Sequence, residues 1–216
     1  MTGNAKEERS EGYEAYFAVM IGLCAALSGF AGFLSADASS HANTAGNDNI
    51  MWHAEATTAQ TRAYQFIIRD DQLLTQASIE DSIGTATNDT VLHSIANELR
   101  NRTYAVKLGF LTYLGTGTMM YSDFEHAWNA FQDYEYQDAN DYYQLSQEAA
   151  AKEQQNSQKA TSYLLSTVTF AFVTVIAAAG LNVYKKSIRR NILYLSIVVL
   201  IVSLLYLASI ILSLGG

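Results

Sequence analysis

The sequence predicts an all-α membrane protein: three transmembrane helices, with an extracytoplasmic antiparallel helical bundle between the first and second. Three observations carry this. Residues 191–214 contain no charged residue and no proline, and a helix needs about 20 apolar residues to cross a bilayer. Two further uncharged apolar runs lie at 15–36 and 162–181. The 216 residues include no proline at all, so the commonest helix breaker is missing and long helices are expected.

Residues 1–14 form a short amino-terminal segment, and 15–36 the first span. The span is longer than the roughly 7–15 residues of a cleavable signal core, so it reads as a retained anchor despite the small-x-small pattern Ala36-Asp37-Ala38. Gly22, Ala25 or Ala26, Gly29, Gly32 and Ala36 share one helix face, and small residues let helix backbones approach closely in a membrane. That face is expected to meet another helix. Cys24 is the sole cysteine, which rules out an intrachain disulfide and makes it a small packing residue.

Residues 37–161 form the one large polar segment, of single-domain size. Positions 52, 56, 59, 63, 66, 70, 73 and 77 step by four and three and read Trp, Ala, Ala, Ala, Phe, Asp, Leu, Ala, a buried helical seam with Asp70 as the exception. Ser82–Asp89 signals a break, with Gly84 ending one helix and Asn88 or Asp89 capping the next. Leu92, Ile95, Leu99, Val106, Phe110 and Tyr113 continue at mostly helical spacing, interrupted at Arg102 and Thr103. Gly115-Thr116-Gly117-Thr118 marks a second turn. Tyr121, Phe124, Trp128 and Phe131 then make another apolar stripe. The cap-rich run 137–141 predicts a third break, so that four helices run up-down-up-down and the chain returns to the membrane. From Leu145 to Ala160 the helix is expected to run on into the second span as a solvated stalk.

The second span, 162–181, and the third, 192–214, close on a loop at 182–191 that holds Lys185, Lys186, Arg189 and Arg190. Basic residues stay cytoplasmic in short loops. The amino terminus is therefore inside and the large domain outside, in a multi-pass protein of the plasma or inner membrane. Ser196 and Ser203, with Ser166, Thr167, Thr169 and Thr174, offer interhelical hydrogen bonds.

Charge and motifs narrow the function. Residues 37–159 hold 17 acidic and 7 basic side chains, a field that repels nucleic acid and favours cationic partners or solubility. No nucleophile elbow or phosphate loop is present and Cys24 is in the membrane, so no catalytic residue is assigned and an enzyme is not expected. The spans carry no ionisable residue of the kind that marks an ion path. Asp37/His41, Asp89/His93 and Asp123/His126 place an acid one turn before a histidine, a spacing that suits chelation and surface pairing alike. A di-iron bundle needs two Glu-x-x-His motifs, so no metal or cofactor is assigned.

The aromatic residues Trp128, Tyr134, Tyr136, Tyr142 and Tyr143, interleaved with acids, are the candidate interaction patch, because aromatic faces attract cations and anchor protein interfaces. The spacing puts Tyr121, Phe124, Trp128 and Phe131 in the core and leaves Tyr136, Tyr142 and Tyr143 exposed near the third break. Asn88-Asp89-Thr90 and Asn101-Arg102-Thr103 are glycosylation sequons at Asn88 and Asn101.

The amino-terminal anchor, Asn47-Asp48, a helix carrying Trp52, Gln60 and Tyr64, and a closing two-span hairpin together resemble a family of small bacterial and archaeal membrane proteins known only as a domain of unknown function. The resemblance covers residues 15–75 and the hairpin and implies no activity or site. The outer domain is also similar in size and placement to four-helix receptor sensor domains, without their cytoplasmic output. The expected role is a non-enzymatic accessory or structural subunit, in contact with lipid and with other membrane subunits or copies of itself. A ligand-binding or sensory module is the alternative, and metal binding a third.

Overall fold

The computed structural model describes residues 4–111 and 121–214, with side chains described for 12–111 and 124–212. The described residues are helical and include no strand: α1 (Asn4–Thr87), α2 (Thr90–Arg102), α3 (Tyr104–Lys107), α4 (Tyr121–Leu181) and α5 (Lys186–Leu214). Three of these helices, α1, α4 and α5, are long and apolar enough to cross a membrane. The chain divides into two compact units, one of residues 1–47 and 149–216, the other of 48–148.

The seam continues well beyond the stretch where periodicity first shows it. Along α1, Phe17, Cys24, Ala31, Ala38, Ala45, Trp52, Ala59, Phe66 and Leu73 stand seven apart, and every one is buried or half-buried. So are Ile21, Ser28, Ser35, Ala42, Asn49, Ala56, Ala63, Asp70 and Ala77. In α4 the same repeat runs through Trp128, Glu135, Tyr142, Ala149, Asn156, Tyr163, Phe170 and Ala177. A sustained seven-residue repeat keeps one stripe of a helix against one partner.

In the first unit α1 and α4 run in opposite directions. Ser28 Oγ donates to the Thr167 carbonyl at 3.3 Å and Ser35 Oγ to the Ala160 carbonyl at 2.8 Å, seven residues forward on one helix against seven back on the other. Phe17, Cys24, Phe170, Val173, Leu200 and Leu207 form its core, drawn from α1, α4 and α5. Phe17 lies directly on Gly180, where an added Cβ would sit 2.4 Å from the ring. Arg189 of α5 donates to Glu14 of α1 at 3.2 Å and its guanidinium stands 5.9 Å from the Phe17 centroid. The outward faces of the spans remain apolar, with Val19, Phe33, Phe172, Val175, Val202 and Leu212 all exposed, as suits a lipid solvent.

Several sequence expectations need correction here. The predicted break at 137–141 does not form, and α4 is continuous from Tyr121 to Leu181. Its Asp138, Asn140 and Asp141 are exposed while Ala139 is buried, so cap-type residues occupy the free face and the seam runs on beneath them. The second unit accordingly holds two long helical stretches with α2 and α3, where four helices of similar rank were expected. The stretch 145–160 is continuous with the span as expected, yet it is no solvated stalk: Ser146 and Ala149 are buried, and an added Cβ on Gly46 would meet the Glu153 carboxyl at 3.2 Å. The turn at Gly115–Thr118 lies outside the described residues.

Gly84 does not end α1. It lies inside the helix, buried, with the Asp89 carbonyl and Leu92 Cβ each 3.1 Å from where a Cβ would sit, so its role is to admit α2. Asn88 takes the left-handed conformation (φ 53°), which asparagine tolerates better than most residues. Asp89 then caps α2, accepting from the Val91 N–H at 2.8 Å. The interruption at Arg102–Thr103 is real: Thr103 ends α2 and caps α3. Gly109 follows α3 with φ 82°, the left-handed turn that commonly terminates a helix.

Candidate functional site

In the second unit, Ile67, Ala105, Leu111 and Phe131 form a buried cluster with Phe124, Trp128 and Tyr136 packed against it. Trp128 stacks on Phe124 with centroids 6.0 Å apart and meets Phe131 at 5.4 Å. The described part of the predicted aromatic stripe is thus core; the Tyr121 side chain lies outside the described residues.

The remaining interaction candidates separate. Tyr142 and Tyr143 are half-buried instead of exposed, because with no break at 137–141 they fall on the seam. Tyr142 stacks on Trp52 at 5.9 Å, and Tyr143 contacts His53 edge-on and donates its hydroxyl to Gln60 Oε1 at 3.0 Å. Two residues of the resemblance, Trp52 and Gln60, are therefore spent on the α4 contact. Nearby, Ser146 Oγ donates to Asn49 Oδ1 at 2.7 Å. Tyr136 is half-buried, which also corrects its predicted exposure. Tyr134, 52% exposed, is the open member of the group.

Asp70, the odd residue of the seam, is 0% exposed. Its Oδ2 accepts the Ala105 N–H at 2.8 Å, tying α3 to α1, while Oδ1 has no hydrogen-bond partner among the described residues. This bond is not legible in the sequence, since α3 is only four residues long. Across from it, Glu135 of α4 is half-buried, and its carboxyl is pushed above the usual range by burial first and then by the charges of Asp70 and Asp138. Beside Glu135 an open groove of about 350 Å³ is lined by Phe66, Tyr104, Tyr134, Glu135 and Asp138, with Arg62 among its other lining residues.

A second polar cluster fastens α2 to α1. Asp81 Oδ1 lies 2.6 Å from His93 Nδ1, and Oδ2 accepts from Arg100 at 2.8 Å. The Arg100 hydrogen bond, then that from His93, holds the Asp81 carboxyl below the ordinary range. His93 is thus bound to Asp81 and not to Asp89, the residue one turn before it, which is occupied as a cap. His41 and Asp37 are 3.8 Å apart and both exposed; the Asp123 side chain lies outside the described residues. Among the described residues no three His, Cys, Asp or Glu side chains converge on a point where a metal would sit. The two sequon asparagines, Asn88 and Asn101, are exposed.

Among the described residues the small-residue face of α1 is open. Gly22, Ala25, Ala26, Gly29 and Ala36 are exposed, and an added Cβ at Gly22 or Gly29 would meet nothing within 4 Å. Gly32 alone approaches a neighbour, Thr167 Oγ1 at 3.9 Å. The expected hydroxyl bonds between spans also differ: Ser166, Thr167, Thr169, Thr174, Ser196 and Ser203 all donate to carbonyls of their own helix. Ser28 and Ser35, not singled out by their sequence context, make the bonds between helices.

The chain matches no family model, no curated protein and no solved structure.

Proposed function

We propose that this chain is a non-enzymatic accessory or structural subunit of a larger assembly in the plasma or inner membrane, with its amino terminus inside and residues 37–161 outside as an antiparallel helical domain. In this reading α1 and α4 form an antiparallel coiled coil, and the seven-residue repeat on both helices supports it. The observation that carries the subunit role is the open face at Gly22 and Gly29. Glycine inside a helix is destabilising relative to alanine unless something uses the space it leaves, and nothing among the described residues does. A second membrane helix is the natural occupant, from another subunit or another copy.

Native mass spectrometry of the full chain, tagged and extracted from its own membranes in mild detergent, tests this. A complex of fixed stoichiometry is expected. A monomer carrying only lipid, under conditions that preserve other membrane complexes, refutes the reading.

A second reading, an extracytoplasmic ligand-binding module, is supported by the groove beside Tyr134 and Glu135. It no longer draws on Trp128, whose ring is engaged in packing.

A further inference from the structure

We propose that the connection between α4 and α5, with the first turn of α5, holds the phosphate headgroup of an anionic phospholipid through Lys185, Lys186 and Arg190. This rests on the membrane part of the reading above and not on the subunit role. Four basic side chains fall within residues 185–190, and the structure divides them. Arg189 turns inward: it is 9% exposed, donates to Glu14 of α1 at 3.2 Å and stands 5.9 Å from the Phe17 ring centroid. Lys185, Lys186 and Arg190 are exposed, and none of them makes an ion pair among the described residues.

Among the described residues, nothing of opposite charge neutralises these three. Glu14 is spent on Arg189, and no other acid with a described side chain precedes Asp37 on α1. From residue 154 to residue 216 the sequence contains no Asp or Glu at all. α5 begins at Lys186 with no acid in its first turn, although the positive end of a helix dipole favours anions there and disfavours cations. Three cations at a helix N-terminus repel one another unless an anion sits among them.

The apolar surroundings decide which anion fits. Tyr184 is fully exposed and Ile188 is 46% exposed, so the cations are interleaved with an aromatic ring and an aliphatic side chain that packing leaves open. The uncharged run 191–214 begins directly after Arg190, and α4 and α5 are both long and apolar enough to cross a membrane. In that setting the cations stand at headgroup depth, where tyrosine rings are also favoured, and clustered Lys and Arg beside a span attract anionic lipid. A free phosphate uses the cations and leaves Tyr184 and Ile188 in water. A lipid covers them all.

The test is native mass spectrometry of the full chain, delipidated in mild detergent and titrated with phosphatidylglycerol or phosphatidylcholine of identical acyl chains. Phosphatidylglycerol is expected to bind at least about tenfold more tightly, each cation near the headgroup contributing about fivefold. Lys185→Gln, Lys186→Gln and Arg190→Gln together should bring the two lipids to within about twofold of each other. The equal charge loss Arg62→Gln, Lys152→Gln and Lys159→Gln should leave the preference intact.

Thermal unfolding checks that the triple variant folds. Should it not, Lys186→Gln and Arg190→Gln singly are each expected to weaken phosphatidylglycerol about fivefold with phosphatidylcholine unchanged. No preference in the parent overturns the site, the result expected if Glu7, Glu8 and Glu11 of the amino-terminal segment neutralise it. A preference that the triple or single variants keep in full, or that the control loses equally, overturns it too. Displacement of the lipid by equimolar glycerol phosphate also overturns it, leaving a site for a soluble anion. The membrane reading fails on a different observation, release of the chain from native membranes by alkaline carbonate.

Discussion

Phe131 has no exposed surface and touches both Phe110 and Trp128, so Phe131→Ala leaves a cavity that its ringed neighbours cannot close. A loss of about 3–5 kcal/mol is expected, read by chemical or thermal unfolding of the full chain. Titration gives a second prediction at this scale. Asp81 has a folded pKa below its ordinary value of 3.8, so its clasp with Arg100 and His93 is fully stabilising above that value and is lost as pH falls through the lower folded one. Glu135 has the opposite sign: its folded pKa is raised, so its contribution is present below the ordinary value of 4.5 and is lost as pH rises through the folded one. Unfolding temperatures measured from about pH 3 to 7 should therefore show Asp81→Asn destabilised at neutral pH and converging with the parent in acid. Glu135→Gln should be at least as stable as the parent at neutral pH. A constant gap for Asp81→Asn across that range contradicts the assignment.

At the level of elements, the repeat explains both what the sequence revealed and what it hid. The spacing of Trp52, Ala56, Ala63, Phe66 and Ala77 announces a buried face because periodicity is local information. The partner of that face is not local: Asn49 meets Ser146 and Gln60 meets Tyr143 across 97 and 83 residues of chain. Nothing in either segment alone specifies that register. The misread break at 137–141 has a related cause. Asp and Asn are favoured at helix caps, but their cost inside a helix is a few tenths of a kcal/mol each, and Ala139, Tyr142 and Ser146 more than offset it by packing.

Helix continuity makes a prediction of its own. Ala139→Pro removes a backbone hydrogen bond from the middle of α4 and should cost about 3 kcal/mol or more, seen as a drop in unfolding temperature and in helical circular dichroism. A tolerated proline there would place a natural break at this point. In the membrane part, Gly180→Ala forces a Cβ against the buried Phe17 ring and should destabilise the chain itself. Gly29→Leu points into open space and should leave the isolated chain as stable as before, while reducing the mass of any complex it forms. Loss of stability at Gly29→Leu without a change in oligomer size contradicts the open face.

For the molecule as a whole, the apolar outer surfaces of α1, α4 and α5 and the four basic residues at 185–190 lead to one proposed topology. A cysteine placed at Ser187 in a Cys24→Ser background should stay unreactive toward an impermeant thiol reagent in intact cells and react after permeabilisation. The central claim is that α1 packs against α4 within the second unit, through Asn49 and Ser146. Asn49→Cys with Ser146→Cys tests it most directly, in the same Cys24→Ser background and in native membranes under mild oxidation, with Asn49→Cys and Glu148→Cys as the off-seam control because Glu148 is exposed. The seam predicts rapid intrachain cross-linking of the first pair, visible as a mobility shift reversed by reductant, and little for the second. Equal cross-linking of both pairs, or none of the first, contradicts it.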